Sequence, residues 1–279
     1  MKTKLTDDLR PCPHGSRGYG EDPMLDERLI HSLHVTSGGH DDLPSGVAPH
    51  EVFQTSTVAA LLDGAYDGDV SFAELAGRGD LGLGTFDAVD GEMIALDGEF
   101  WRADIEGKAH PVEPERKTPF AVLVRFEPRQ RFELAEPLEH GAFVAELDRR
   151  LGHPEVVHAV RVDGRFSRVH ARSVARQSKP YPPMTEVVAD QHVFDLSDVE
   201  GTIVGFRFPD YAGELNVPGY HLHFISADRS RGGHVLECEP AGVSVAADDE
   251  TDLRLELPRG VDLGRAASAE AIRRVEHQG

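Results

Sequence analysis

Cysteine is nearly absent. Cys12 sits in a polar stretch, Cys238 in an apolar run, and no C-x-x-C pair occurs, so no disulfide framework is expected. No run approaches the roughly 18 consecutive apolar residues needed to cross a bilayer. Met1 to Tyr19 mixes Lys, Asp, Arg, Pro and His without an apolar stretch, so no signal peptide is expected and a cytoplasmic location follows by default. Positive charge is scarce as well: 29 Lys plus Arg stand against 49 Asp plus Glu, a formal net charge of −20. Neither nucleic acid nor an anionic membrane is an expected partner of so acidic a chain. Nucleotide-binding signatures are missing too, since Gly82 to Gly84 lacks the G-x-G-x-x-G spacing and there is no Walker A sequence. The acidity also constrains any anionic substrate. Repelled at long range, its carboxylate must be held by a local positive centre, either a metal or an arginine.

What is present is ample material for a core: 279 residues, 39% hydrophobic, enough for one large domain or two small ones. Residues 1–49 are rich in Pro and Gly with few apolar residues between them and read as a flexible leader with one short ordered patch near Leu29 to Val35. Its histidines, His31, His34 and His40, have no strand or helix pattern to fix their directions and read as solvated. From Glu51 the composition changes. Thr55-Ser56-Thr57 offers N-cap oxygens to a helix of about three turns ending near Gly64 or Gly68, and Ser71 with Glu74 forms a capping box for a second short helix to Gly77. Strands are expected at Gly82 to Asp87, Glu92 to Leu96 and Glu99 to Ile105, separated by Asp90-Gly91 and Asp97-Gly98, and another at Phe120 to Phe126. Leu138 to Leu151 has helical spacing with Gly152 as its stop.

Two strands, Val156 to Val162 and Phe166 to Val174, are then expected around an Asp163-Gly164 turn. Further strands are expected at Val187 to Phe194, Gly201 to Phe208, Gly219 to Ser226, His234 to Cys238, Gly242 to Ala247 and Leu253 to Leu257, with a last helix at Ser268 to Val275. Strands dominate and helices do not alternate with them. The expected class is α+β, with mostly antiparallel or mixed sheets and a few short helices. Residues 50–184 would form an N-terminal β-rich half and 185–279 a C-terminal β-rich half, with a metal site between them.

The stretch from Pro218 to His234 carries the strongest chemical signal. It reads as a β-hairpin folding near Asp228-Arg229. Alternation puts His221 and His223 on one face, with Leu222 and Phe224 on the other. The fold-back brings His234 opposite His223. Histidines on a strand are usually just exposed, but three converging imidazoles with positions left open make a catalytic metal site. Two further features sit upstream. Glu92 starts an apolar strand just after the Asp90-Gly91 turn, with Thr85 across it; it is either an exposed edge residue or a buried acid in need of a metal or an arginine. Arginines alternate along Arg165 to Arg176, normally as a solvated face, yet one of them can clamp a carboxylate with two parallel hydrogen bonds.

Several long motifs together carry a family resemblance: Phe53-Gln-Thr-Ser-Thr57 with Ala60-Leu-Leu-Asp-Gly64, Gly82-Leu-Gly-Thr-Phe-Asp87 with Val89-Asp-Gly-Glu92, Pro180-Tyr-Pro-Pro183, Val217-Pro-Gly-Tyr-His-Leu-His-Phe224 and Gly232-Gly-His-Val235. In this order, over about Glu51 to Leu257, the chain resembles the bacterial acetolactate decarboxylases. The resemblance implies Zn2+ held by His221, His223 and His234, an active-site glutamate at Glu92, a threonine at Thr85 and an essential arginine at Arg172. It also implies a glutamate near the C-terminus that reaches back to the metal, matched here by Glu276 in Arg274-Val-Glu-His277. The implied substrate is a small anionic keto acid, 2-acetolactate, converted to acetoin and CO2 through an enediolate; the implied assembly is a homodimer. The alternatives are another metal-dependent carbon–carbon lyase or hydrolase with the same three-histidine site, or a non-catalytic metal-binding domain.

Overall fold

The computed structural model describes residues 33–39, 46–213, 215–257, 271–272 and 275–276. In chain order the strands are β1 (His34–Gly39), β2 (Glu51–Thr55), β3 (Val70–Ser71), β4 (Leu81–Thr85), β5 (Glu92–Leu96), β6 (Glu99–Ala103), β7 (Ala109–Pro111), β8 (Lys117–Thr118), β9 (Ala121–Val124), β10 (Gln130–Leu134), β11 (Val157–Ser173), β12 (His192–Phe208), β13 (Gly219–Ser226), β14 (Gly232–Glu250) and β15 (Asp252–Leu257). The helices are α1 (Val58–Leu62), α2 (Phe72–Leu75), α3 (His140–Leu151) and α4 (Met184–Ala189). An eight-stranded sheet has the order β1-β15-β2-β9-β4-β5-β6-β7, and a five-stranded sheet the order β10-β14-β11-β12-β13, with β13 also pairing with β14. Pairing is antiparallel except where β15 runs parallel to β1 and β2. The α+β class with mixed, mostly antiparallel sheets is therefore the observed one. Among the described residues no helix is long and apolar enough to cross a membrane.

Period-2 alternation explains how the sheets stack. Val52, Leu81, Leu83, Ile94 and Leu96 of the larger sheet and Val157, Ala159, Val204, Phe206 and Ile225 of the smaller one share one buried cluster, the seam between the sheets. The opposite face of the smaller sheet, including Phe166, Leu222 and Phe224, is covered by Phe143, Leu147 and Leu151 of α3. These three recur at helical spacing, and Gly152 ends the helix at φ 61. The outer face of the larger sheet, with Phe53, Met93, Ala95 and Leu123, packs on Phe72 and Leu75 of α2, whose capping box of Ser71 and Glu74 is formed as expected.

The structure departs from the sequence reading at several elements. Asp163-Gly164 is no turn, because β11 runs straight through it between two long partners, β12 and β14, with bulges absorbed near Gly164 and Phe166. Gly164 is required there: a Cβ would lie 2.5 Å from the Gly242 carbonyl oxygen. The strands expected at His234 to Cys238 and Gly242 to Ala247 are likewise one strand, β14. Val187 and Val188 belong to α4, not to a strand. Pro183 starts the helix, and Met184, Val187 and Val188 bury one helical stripe. Glu51–Thr55 forms β2, buried at every position, and α1 is correspondingly short, with Thr57 Oγ1 accepting from the Ala60 amide at 3.2 Å. Within the presumed leader, residues 34–39 form β1 on the edge of the larger sheet. His34 is exposed with its Nδ1 3.2 Å from Asp252, and His31 and His40 lie outside the described residues.

The sheets do not divide the chain at residue 184. β11 precedes that point yet lies in the smaller sheet, while β15 follows it and joins the larger one. Of the expected last helix, residues 271–272 and 275 are helical, as is residue 276 just past its expected end, and the rest of it lies outside the described residues.

Candidate metal and active site

Alternation along five strands points the candidate residues into the seam. On β13, Ile225 faces the inter-sheet core while Leu222 and Phe224 face α3, so His221 and His223 share the inner face with Ile225. The turn at residues 227–230 folds the chain back into β14, so that His223 pairs directly with His234. On β5, Ile94 and Leu96 face the seam and carry Glu92 with them; on β4, Leu81 and Leu83 do the same for Thr85. On β11, Ala171 faces outward, which leaves Arg172 inward and directly opposite His234.

The three imidazoles have ring centroids 5.2, 5.2 and 5.3 Å apart. One ligand atom from each lies within 4.8 Å of the others, and all three residues are buried. His223 Nδ1 stands 2.7 Å from the Met93 carbonyl oxygen. Since a carbonyl only accepts, Nδ1 carries the proton and the lone pair of Nε2 points into the site. Burial pushes the His223 imidazole down to about 3, with Arg172 adding to the fall and the Met93 bond opposing it. His234 is held well below its usual value by burial, then by Arg172 and the other two histidines. Both rings are therefore neutral, as metal ligands must be.

Two carboxyls complete the donor set. Glu92 Oε2 is 3.6 Å from His223 Nε2, and Glu276 Oε1 is 3.5 Å from His234 Nε2 and 3.8 Å from His221 Nε2. These separations are long for hydrogen bonds. They suit atoms sharing one cation, because ligands about 2.1 Å from an ion stand roughly 3.4 Å apart at a tetrahedral angle. His234 Nε2 also lies 3.3 Å from the Glu276 carbonyl oxygen, to which it donates without a metal, so a metal taking this nitrogen would displace that bond and move the proton to Nδ1. His223 Nε2 and Glu276 Oε1 are both buried without a hydrogen-bond partner among the described residues, a costly arrangement that a bound cation satisfies. Burial raises Glu92 to about 7 against the opposing pull of Arg172. It raises Glu276 to about 8, with Glu92 adding to the rise and Arg172 again opposing. A divalent cation would restore both carboxylates. The residues present thus fit a metal with nitrogen and oxygen ligands.

Arg172 is 5% exposed, and its Nε has no hydrogen-bond partner among the described residues. Arg172 lines the same cavity as His221, His234, Glu92 and Glu276, walled by Val58, Val89, Met184 and Val217 among other apolar side chains. Thr85 also lines this cavity, but its hydroxyl donates to the Gly91 carbonyl at 2.8 Å and so ties down the turn before Glu92. The structure therefore gathers all seven sequence candidates. Sequence reasoning missed the Met93 carbonyl and the apolar wall. A backbone acceptor leaves no trace in residue identity, and Val89 and Met184 look like ordinary core residues.

A family model for alpha-acetolactate decarboxylase matches residues 52–267, a span that stops short of Glu276. The alpha-acetolactate decarboxylase of Methylococcus capsulatus is 46% identical over 215 residues, covering 77% of this chain and 83% of that protein. That of Methanosarcina mazei is 44% identical over 222 residues, covering 80% and 77%. The crystal structure of alpha-acetolactate decarboxylase from Bacillus subtilis strain 168 superposes with a TM-score of 0.78 at 38% identity, covering 81% of this chain and 99% of that one. On matches of this extent in sequence and in fold, the chain belongs to the alpha-acetolactate decarboxylase family.

Proposed function

We propose that the protein decarboxylates 2-acetolactate to acetoin and CO2 with a zinc ion held by His221, His223, His234 and the carboxylates of Glu92 and Glu276. The observation that carries this reading is that buried Arg172 lines one apolar-walled cavity with Glu92, Glu276 and two members, His221 and His234, of a three-histidine cluster. Bound there, zinc would supply a Lewis acid that stabilises negative charge developing on the substrate.

The chain's own residues perform the remaining work. Arg172 answers the electrostatic problem posed by a net charge of −20, binding the substrate carboxylate through a fork of N–H donors. As the C1–C2 bond breaks, its electron pair moves toward the neighbouring carbonyl, and the carboxylate becomes neutral CO2. The apolar walls favour that change, since they solvate CO2 better than the anion it replaces. Glu92 and Glu276 are placed to hold the hydroxyl proton, and a proton delivered to C2 from a carboxylic acid or from a water held by Arg172 completes acetoin. Thr85 positions Glu92 through the Gly91 turn.

The test is metal analysis together with acetoin formation from racemic acetolactate. Purified protein should contain about one zinc per chain, lose activity on chelation and regain it with zinc. His223→Ala should lose both metal and activity. A zinc-loaded protein that releases no CO2 overturns the reading in favour of a different lyase, a hydrolase or a binding domain. The family resemblance also supports a homodimer, tested by light scattering.

A further inference from the structure

We propose that Val89 is a specificity-determining residue, limiting the size of the alkyl group on the carbon that loses CO2, and that Asp90 is the positioning residue that holds it in place. The proposal rests on the decarboxylase reading and deepens it.

The starting observation is a backbone anomaly beside the site. Ala88 and Val89 follow one another with φ of 60° and 48°, both in the left-handed region. For a β-branched residue such as valine this conformation is a true outlier, and it persists only where its surroundings over-determine it. They do so here on every side. The Ala88 amide donates to the Tyr66 carbonyl at 2.8 Å, and the Gln177 amide donates to the Ala88 carbonyl at 2.8 Å. The Gly91 amide donates to the Val89 carbonyl at 2.9 Å, and Thr85 Oγ1 donates to the Gly91 carbonyl.

Flanking carboxylates clamp the turn from outside. Asp87 accepts from the Gly68 amide at 3.0 Å and from Arg176 at 3.0 Å. Asp90 lies between Arg102 at 3.2 Å and Arg116 at 2.6 Å, and Arg116 in turn covers the Phe86 ring at 4.8 Å. What this structure achieves is the placement of one side chain. Val89 is fully buried and lines the same cavity as Glu92 and Arg172. Nothing in the sheet pairing requires a left-handed valine there, since the turn from β4 to β5 already closes through Thr85 and Gly91. A rigid, branched side chain in the wall of the cavity that also holds Arg172 sorts substrates by bulk, because one methylene in an apolar pocket changes discrimination by roughly 10- to 200-fold.

The experiment compares kcat/KM for 2-hydroxy-2-methyl-3-oxobutanoate and its 2-ethyl homologue in the zinc-loaded wild type, Val89→Ala, Val89→Leu and Asp90→Ala. The ratio of ethyl to methyl should rise about tenfold or more in Val89→Ala and fall in Val89→Leu. In Asp90→Ala it should move in the direction of Val89→Ala, by less. A ratio cancels any loss of folded protein. Calorimetric Kd values for 2-hydroxy-2-methylpropanoate and 2-hydroxy-2-methylbutanoate, which lack the ketone, should show the same shift without turnover. If the wild type makes no acetoin and the Kd ratio still moves, the decarboxylase reading fails and the size selection stands. If the wild type makes acetoin and neither ratio moves more than twofold in both Val89 variants, the proposal is overturned.

Discussion

His223, on the smaller sheet, takes its orientation from Met93, on the larger one: its Nδ1 lies 2.7 Å from the Met93 carbonyl oxygen. The contact spans the seam. A candidate ligand on one sheet thus has its tautomer and ring plane set by the backbone of the other, and the spacing of the sheets becomes a variable of the candidate metal site.

Gly84 lets β4 lie close against β9 and β5, the strand that carries Met93, within the larger sheet. A Cβ at this position would stand 2.4 Å from the Phe120 carbonyl oxygen, 2.9 Å from Ala121 Cα and 3.1 Å from Met93 Cε. The first two are backbone atoms and cannot rotate away. Gly84→Ala should cost about 2–4 kcal/mol in urea unfolding and, by shifting Met93, weaken zinc binding as well. Unchanged zinc affinity in a destabilised variant would show that the His223–Met93 contact tolerates movement of β4.

Arg172 has a role that charge alone does not fill. Lysine keeps the positive charge but loses the planar fork and the reach of the guanidinium. Arg172→Lys should retain zinc while kcat falls on the order of a hundredfold, the scale expected when a bound group is misplaced by about 1 Å. Activity within fivefold of wild type would reduce the residue to a point charge.

Glu276 tests whether the C-terminal carboxyl belongs to the metal site. It is buried, raised to about 8 by burial, and 3.5 Å from His234 Nε2, while its backbone carbonyl is 3.3 Å from the same nitrogen. Glu276→Gln preserves shape and removes the negative charge. Zinc affinity should drop roughly 10- to 100-fold, whereas a variant that binds zinc normally but turns over slowly would place the residue in proton transfer alone.

The residues that announced themselves in the sequence did so through local rules that the fold preserved. The His221–His223 alternation and the fold-back to His234 depend only on the period of a strand and a short turn, and β13 and the His223–His234 pairing follow them. Arg172 was one arginine among several in an alternating run, distinguished only by the resemblance. What buries it is the sheet-on-sheet packing, which a single strand cannot reveal. Long-range pairing overrode local propensity elsewhere. Asp163-Gly164 has the composition of a hairpin turn, yet two long neighbours keep β11 extended through it. Val187 and Val188 favour strands by type, but the prolines before them start a helix. The left-handed turn at Ala88 and Val89 was illegible because neither residue prefers that conformation; only contacts from Tyr66, Gln177 and the arginines impose it.

Another buried acid, away from the candidate metal site, makes stability depend on pH. Glu250, at the end of β14, is 1% exposed, and neither carboxyl oxygen has a hydrogen-bond partner among the described residues. Burial, then Asp248, raise it from its ordinary value near 4.5 to about 8; Arg129 opposes, and Asp249 and Asp252 add to the rise. His50, 2.9 Å from Asp248, engages that neighbour rather than Glu250. The folded protein therefore keeps a proton that the unfolded chain releases above about pH 4.5. The stability that Glu250 contributes is complete below that pH, declines as pH rises through about 8 and is flat beyond, by a few kcal/mol at most. Glu250→Gln carries no proton to lose. The difference in unfolding free energy between this variant and wild type should grow in the variant's favour from pH 5 to pH 9. Parallel stability curves would mean that Glu250 is already ionised in the folded state and has found a cation to balance it.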